Sequence, residues 1–169
     1  MNRKVICAFI IMTIMAIVVG CSGKPETVSE HKTASHGHHQ YKHQHKHAAA
    51  HGGSLNAIVA CENGHAEVKL EGDTLQLWFV GGGTDTTKSV RVPDKSITIQ
   101  VTTADGAKTL VLKPKPLDLA GEKIGDCSYF EGNAPWLGGL KTFSANGQIT
   151  FRGKKMPLKI EYPNGYDPD

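Results

Sequence analysis

Nine histidines stand in this chain, and eight of them fall between His31 and His51. His36, His38, His39, His43, His45 and His47 form the dense part, which ends in His43-Gln44-His45-Lys46-His47, an imidazole at every second residue. Neutral imidazole is a good ligand for Zn²⁺, Ni²⁺ and Cu²⁺. A pliable tract can wrap several imidazoles around one ion without a preformed site. The cost is selectivity, because nothing fixes the coordination geometry. The same composition also suits a solvated polar linker, and Lys32, Lys42 and Lys46 repel cations while keeping the tract soluble. His-rich tracts are nonetheless a compositional signal for metal.

A second candidate lies downstream, in His51, His65 and Glu67. Strict alternation through His65-Ala66-Glu67-Val68-Lys69-Leu70-Glu71 predicts a half-exposed strand, with Ala66, Val68 and Leu70 on the core face. Period two then places His65 and Glu67 on the opposite face, about 7 Å apart along the strand. Gly52-Gly53 allows the chain after His51 to turn back over that face. Two imidazoles and a carboxylate, completed by a tract imidazole, would suit Zn²⁺. The plainer alternatives are a surface His65 with Glu67 as its neighbour, or Glu67 orienting an imidazole. Catalytic motifs are absent: the chain has no His-Glu-x-x-His, no Gly-x-Ser-x-Gly and no Walker loop. Gly81-Gly82-Gly83 reads as a turn, Trp78 and Trp136 as packing residues, and no enzyme is expected.

The elements that must position these residues begin with an address. Asn2-Arg3-Lys4 is a positive n-region, and Val5 to Val19 carries no charge, the length of a signal-peptide core and short for a spanning helix. It ends in Val18-Val19-Gly20-Cys21, which resembles the lipobox of bacterial lipoproteins, with Cys21 as the lipidated residue. Such lipids anchor a protein to a membrane rather than across it. Ser22 follows, with no Asp to retain the protein at the inner membrane, so the expected place is the periplasmic face of the outer membrane or the cell surface.

The mature chain would hold 149 residues, with 17 basic against 16 acidic side chains, a balance too even for a nucleic-acid binder. Cys61 and Cys127 would be its two remaining thiols. In an oxidising compartment they read most simply as a disulfide, closing a loop worth ~4 kcal/mol in the chain-entropy model. Two buried thiols, or soft metal ligands, are the alternatives.

Three regions follow: a signal peptide over 1–20, a lipid-anchored His-rich tether over 21–50, and a β domain over 51–169. The tether has too few large apolar residues to offset the entropy of ordering, so it is expected to be disordered. Beyond residue 50, an apolar run at Ala57–Cys61, strands near 65–71 and 75–79, and short alternating runs every 8–12 residues or so point to an all-β fold. Ala104-Asp105-Gly106 and Arg152-Gly153 mark hairpins, and no capped helix-period segment appears. The expected architecture is a small antiparallel β-sandwich or barrel.

His51-Gly52-Gly53, the short apolar strand, Gly64-His65-Ala66-Glu67 and Ile149-Thr150-Phe151-Arg152-Gly153-Lys154 together resemble the small His-Gly-Gly domain of bacterial periplasmic lipoproteins. A related segment is similar to part of the adaptor subunits of heavy-metal efflux systems. The resemblance covers roughly 51–162. It implies a metal-associated exported β domain without known catalysis. With the His tract, the expected function is capture or buffering of divalent Zn, Ni or Cu, linked to a metal efflux or uptake component; the alternative is a non-catalytic structural or interaction lipoprotein with the tract as a polar spacer.

Overall fold

Alternating strands bury one face each, and eight of them here wrap that face into a shared interior. The computed structural model describes residues 47–168. The strands are β1 (Ser54–Ala57), β2 (His65–Glu71), β3 (Thr74–Val80), β4 (Ile97–Thr103), β5 (Gly106–Pro114), β6 (Tyr129–Asn133), β7 (Phe143–Phe151) and β8 (Lys154–Tyr162). They form one antiparallel sheet in the order β1-β2-β3-β6-β5-β4-β7-β8. The sheet curls until its edges meet. Ala57 N donates to Tyr166 O at 2.7 Å, Tyr166 N donates to Leu55 O at 3.2 Å, and Glu161 N donates to Asn56 Oδ1 at 2.8 Å. The result is a nearly closed barrel, which leaves little exposed edge for another chain to pair with.

Inward-facing positions fill the barrel: Val68 on β2, Leu75, Leu77 and Phe79 on β3, Ile97 and Ile99 on β4, Leu112 on β5, Phe130 on β6, Ile149 and Phe151 on β7, and Leu158 and Ile160 on β8. Each is at most 2% exposed, so the core supplies the main driving force for folding. The antiparallel all-β expectation holds. The helical turns among the described residues are two short 3-10 segments, Asp118–Ala120 and Pro135–Leu137. No helix there is long and apolar enough to cross a membrane.

Hairpin chemistry sets the register. Arg152 and Gly153 join β7 to β8 with φ of +48° and +77°, the left-handed pair of a two-residue turn whose twist matches the flanking strands. Ala104-Asp105 joins β4 to β5, with Thr103 opposite Gly106.

Two sequence readings need correction. The apolar run Ala57–Cys61 is not a strand, since β1 ends at Ala57 and the chain turns through Ile58–Gly64, with Ile58 N donating to Gly64 O at 2.9 Å. Ile58 drops into the core and Val59 takes φ +69° at the surface. Strand β2 is not half-exposed along its length. His65 and Glu67 are 3% and 0% exposed although they face away from the barrel interior, because the segment before β1 lies across them.

Candidate functional site

Residues 47–53 form a strap over the outer face of β2, and Glu67 holds it there. Antiparallel pairing sets Leu55 opposite Glu67 and Ala57 opposite His65, so the chain before Ser54 must leave past the end of this pair. It folds back instead. His51 N and Gly53 N both donate to Glu67 Oε1, at 2.7 and 2.9 Å. His51 Nδ1 lies 2.9 Å from Glu67 Oε2. Gly53 makes this approach possible: a Cβ there would stand 2.5 Å from the Val68 carbonyl oxygen. Thr86 Oγ1 ties down the strap's start by donating to Ala48 O at 2.8 Å.

An aromatic ladder continues the strap across the barrel wall. Register places Glu67, Trp78 and Tyr129 side by side on β2, β3 and β6. The His51 ring stacks on Trp78 with centroids 4.4 Å apart and planes 5° from parallel. Trp78 stacks on Tyr129 at 4.8 Å and 8°. The Tyr129 hydroxyl donates to Glu131, and burial together with that carboxylate pushes the phenol well above its usual range. Trp78 is therefore a packing residue, as its sequence context suggests, but its two stacking partners come from separate segments, the strap and β6.

His65 sits at the other end of the strap. Its Nδ1 lies 3.1 Å from the Gly81 carbonyl oxygen, which can only accept, so Nδ1 carries the hydrogen and the lone pair of the neutral ring is on Nε2. Burial pushes the His65 imidazole below its ordinary value, opposed by the Gly81 bond; the neighbouring His47 lowers it further, while the Asp167 and Glu62 carboxylates raise it. The His47 ring lies against it, with centroids 4.7 Å apart and planes tilted by 48°.

The three-residue site expected from His51, His65 and Glu67 is thus not assembled. Among the described residues, no group of three or more His, Cys, Asp or Glu side chains is arranged to hold one ion. Glu67 spends both oxygens on the strap, and the two histidines divide between partners: His51 goes to Glu67 and Trp78, His65 to Gly81 and His47. Cys21 and the tract residues His36, His38, His39, His43 and His45 lie outside the described residues.

Nor are Cys61 and Cys127 joined. Both are buried thiols. Cys127 belongs to the main core, and its Sγ lies 3.0 Å from the Tyr129 carbonyl oxygen. Cys61 sits in the β1–β2 turn. The segment after β3 has its backbone bonded to both: Gly83 N donates to Cys61 O at 3.0 Å, and Val92 N to Cys127 O at 2.9 Å. Two cysteines so far apart in sequence give no spacing signal of this intervening segment.

No family model, curated protein or solved structure matches this chain.

The residue that sequence reasoning missed is Tyr129, the far end of the ladder; His47 was named as one imidazole of the tract, but not as the point where the tract meets the barrel. The tract's regular spacing gives His47 the same look as its neighbours. Only the strap's return over β2 sets it apart.

Proposed function

We propose that this is a lipid-anchored, non-catalytic metal-binding protein, held through Cys21 at the outer membrane. In this reading it captures or buffers Zn²⁺, Ni²⁺ or Cu²⁺ through the tract His36, His38, His39, His43, His45 and His47, and passes the ion to a metal efflux or uptake component. One observation carries the reading: the strap fixes the tract's last imidazole, His47, against a buried imidazole of the barrel. The tract is then an appendage attached at a defined point, at the end of the barrel where Gly81 and Gly64 lie. The resemblance to His-Gly-Gly lipoprotein domains and efflux adaptors supports the same class.

Calorimetric titration tests this. The mature chain, from Cys21 onward, purified in detergent, is expected to bind at least one Zn²⁺, Ni²⁺ or Cu²⁺ at neutral pH. Binding should fade below about pH 6, since imidazole must be neutral to ligate. Replacing His36, His38, His39, His43 and His45 by Gln should remove most of the capacity. Unchanged capacity in that variant overturns the reading. A second reading, an interaction module with the tract as a polar spacer, has in its favour that no three-ligand group exists among the described residues. It is the outcome if the mature chain binds no ion.

A further inference from the structure

We propose that His47 and His65 form a two-imidazole site for a divalent transition-metal ion at the junction of strap and barrel, distinct from the His51–Glu67 latch. This inference rests on the metal-capture reading and names the place on the barrel where a captured ion would be held. The argument is geometric. An imidazole centroid lies about 3.2 Å from an ion bound at ~2.0–2.1 Å, so two rings at a tetrahedral angle have centroids about 5 Å apart. The His47 and His65 ring centroids are 4.7 Å apart and the planes tilted by 48°, a spacing that matches two rings sharing one ion. His65 is also held as a ligand should be. Its Nδ1–H is turned to a backbone carbonyl, which fixes the ring and directs the lone pair of Nε2 outward from that bond.

His47 begins a strap held by Thr86 at Ala48 and by Glu67 at His51, so part of the ordering entropy is lost before binding. Two ligands from the chain leave coordination positions for an incoming ligand set, so the ion stays exchangeable. The latch at His51 has no comparable capacity, since Glu67 already accepts three hydrogen bonds from the strap.

The test uses the mature chain with His31, His36, His38, His39, His43 and His45 all replaced by Gln, titrated with Zn²⁺ alone and with Cu²⁺ alone. One ion per chain is expected. His65→Gln and His47→Gln, each added to that background, should weaken it roughly tenfold or more, since even loss of a group that only supports a ligand costs 10–100-fold. His51→Asn, which keeps a donor for Glu67 but removes the imidazole, should leave affinity within about twofold. Imidazole NMR signals of His47 and His65, but not of His51, should shift on adding Zn²⁺. Should His65→Gln fail to fold by circular dichroism, His47→Gln and the NMR shifts decide. Undiminished binding in His47→Gln, or an equal loss in His51→Asn, overturns the site. A stripped chain that binds nothing while the unmodified chain binds ions overturns the site and leaves the capture reading standing. An unmodified chain that binds nothing overturns both.

Discussion

Removing the Glu67 carboxylate should loosen the strap at a cost that can be worked out from its bonds. Glu67 is fully buried and receives His51 N, Gly53 N and His51 Nδ1 at 2.7 to 2.9 Å. Glu67→Ala leaves two backbone N–H groups without an acceptor in an enclosed site, each costing about 1–3 kcal/mol, and removes the bond to the ring as well. The combined loss should be roughly 3–5 kcal/mol, bounded above by the strap lifting off and letting those groups meet water. For a domain of this size the lower figure corresponds to a midpoint fall of about 10 °C. Urea unfolding followed by circular dichroism gives the free energy. Tryptophan emission reports the strap separately, because Trp78 lies between His51 and Tyr129 and its emission should move to longer wavelength when His51 leaves. Glu67→Gln keeps an oxygen for both backbone donors and should cost less than about 1.5 kcal/mol. The reasoning is refuted if Glu67→Ala costs under about 1 kcal/mol with Trp78 emission unchanged, or if Gln is as damaging as Ala.

Cys61 and Cys127 should resist alkylation in the native protein and react after denaturation without reductant; burial pushes the Cys127 thiol up, which keeps it in its unreactive form. A peptide map showing the two joined would contradict this. Glu131 sets part of the acid limit of stability. The Tyr129 hydroxyl and then Lys115, 3.3 Å away, hold its carboxyl below the ordinary value. The unfolded chain therefore takes up this proton first, so the stabilisation is complete above about pH 4.5 and is lost as pH falls through the lowered value. Glu131→Gln should flatten that limb by about 1 kcal/mol in urea unfolding between pH 3 and 6, and an unchanged slope would count against the ion pair.

Strands β2 to β5 and the β7–β8 hairpin were legible in the sequence because their information is local. Alternation over His65–Glu71 and through Ser96-Ile97-Thr98-Ile99-Gln100-Val101-Thr102, and the turn residues Ala104-Asp105 and Arg152-Gly153, state face and register within a few residues. So was the proximity of His51 to Glu67, since Gly52-Gly53 advertises a chain that doubles back. Burial of the outer face of β2 was not legible. Gly52-Gly53 allows a return over the polar face, but periodicity alone reads that face as half-exposed and cannot say how completely the strap buries it. Glu67 looked like a ligand because its type and spacing fit. Tertiary structure made it an acceptor for three strap donors, which leaves at most one lone-pair direction for an ion. The thiols follow the same rule: their number is written in the chain, while their burial apart from a disulfide is decided only when the barrel closes. The sequence by itself determined the β class, the hairpins and the store of imidazoles. The tertiary structure decided which imidazoles meet, because meeting depends on the return path of the strap, and that path is fixed by hydrogen bonds to a residue on another strand.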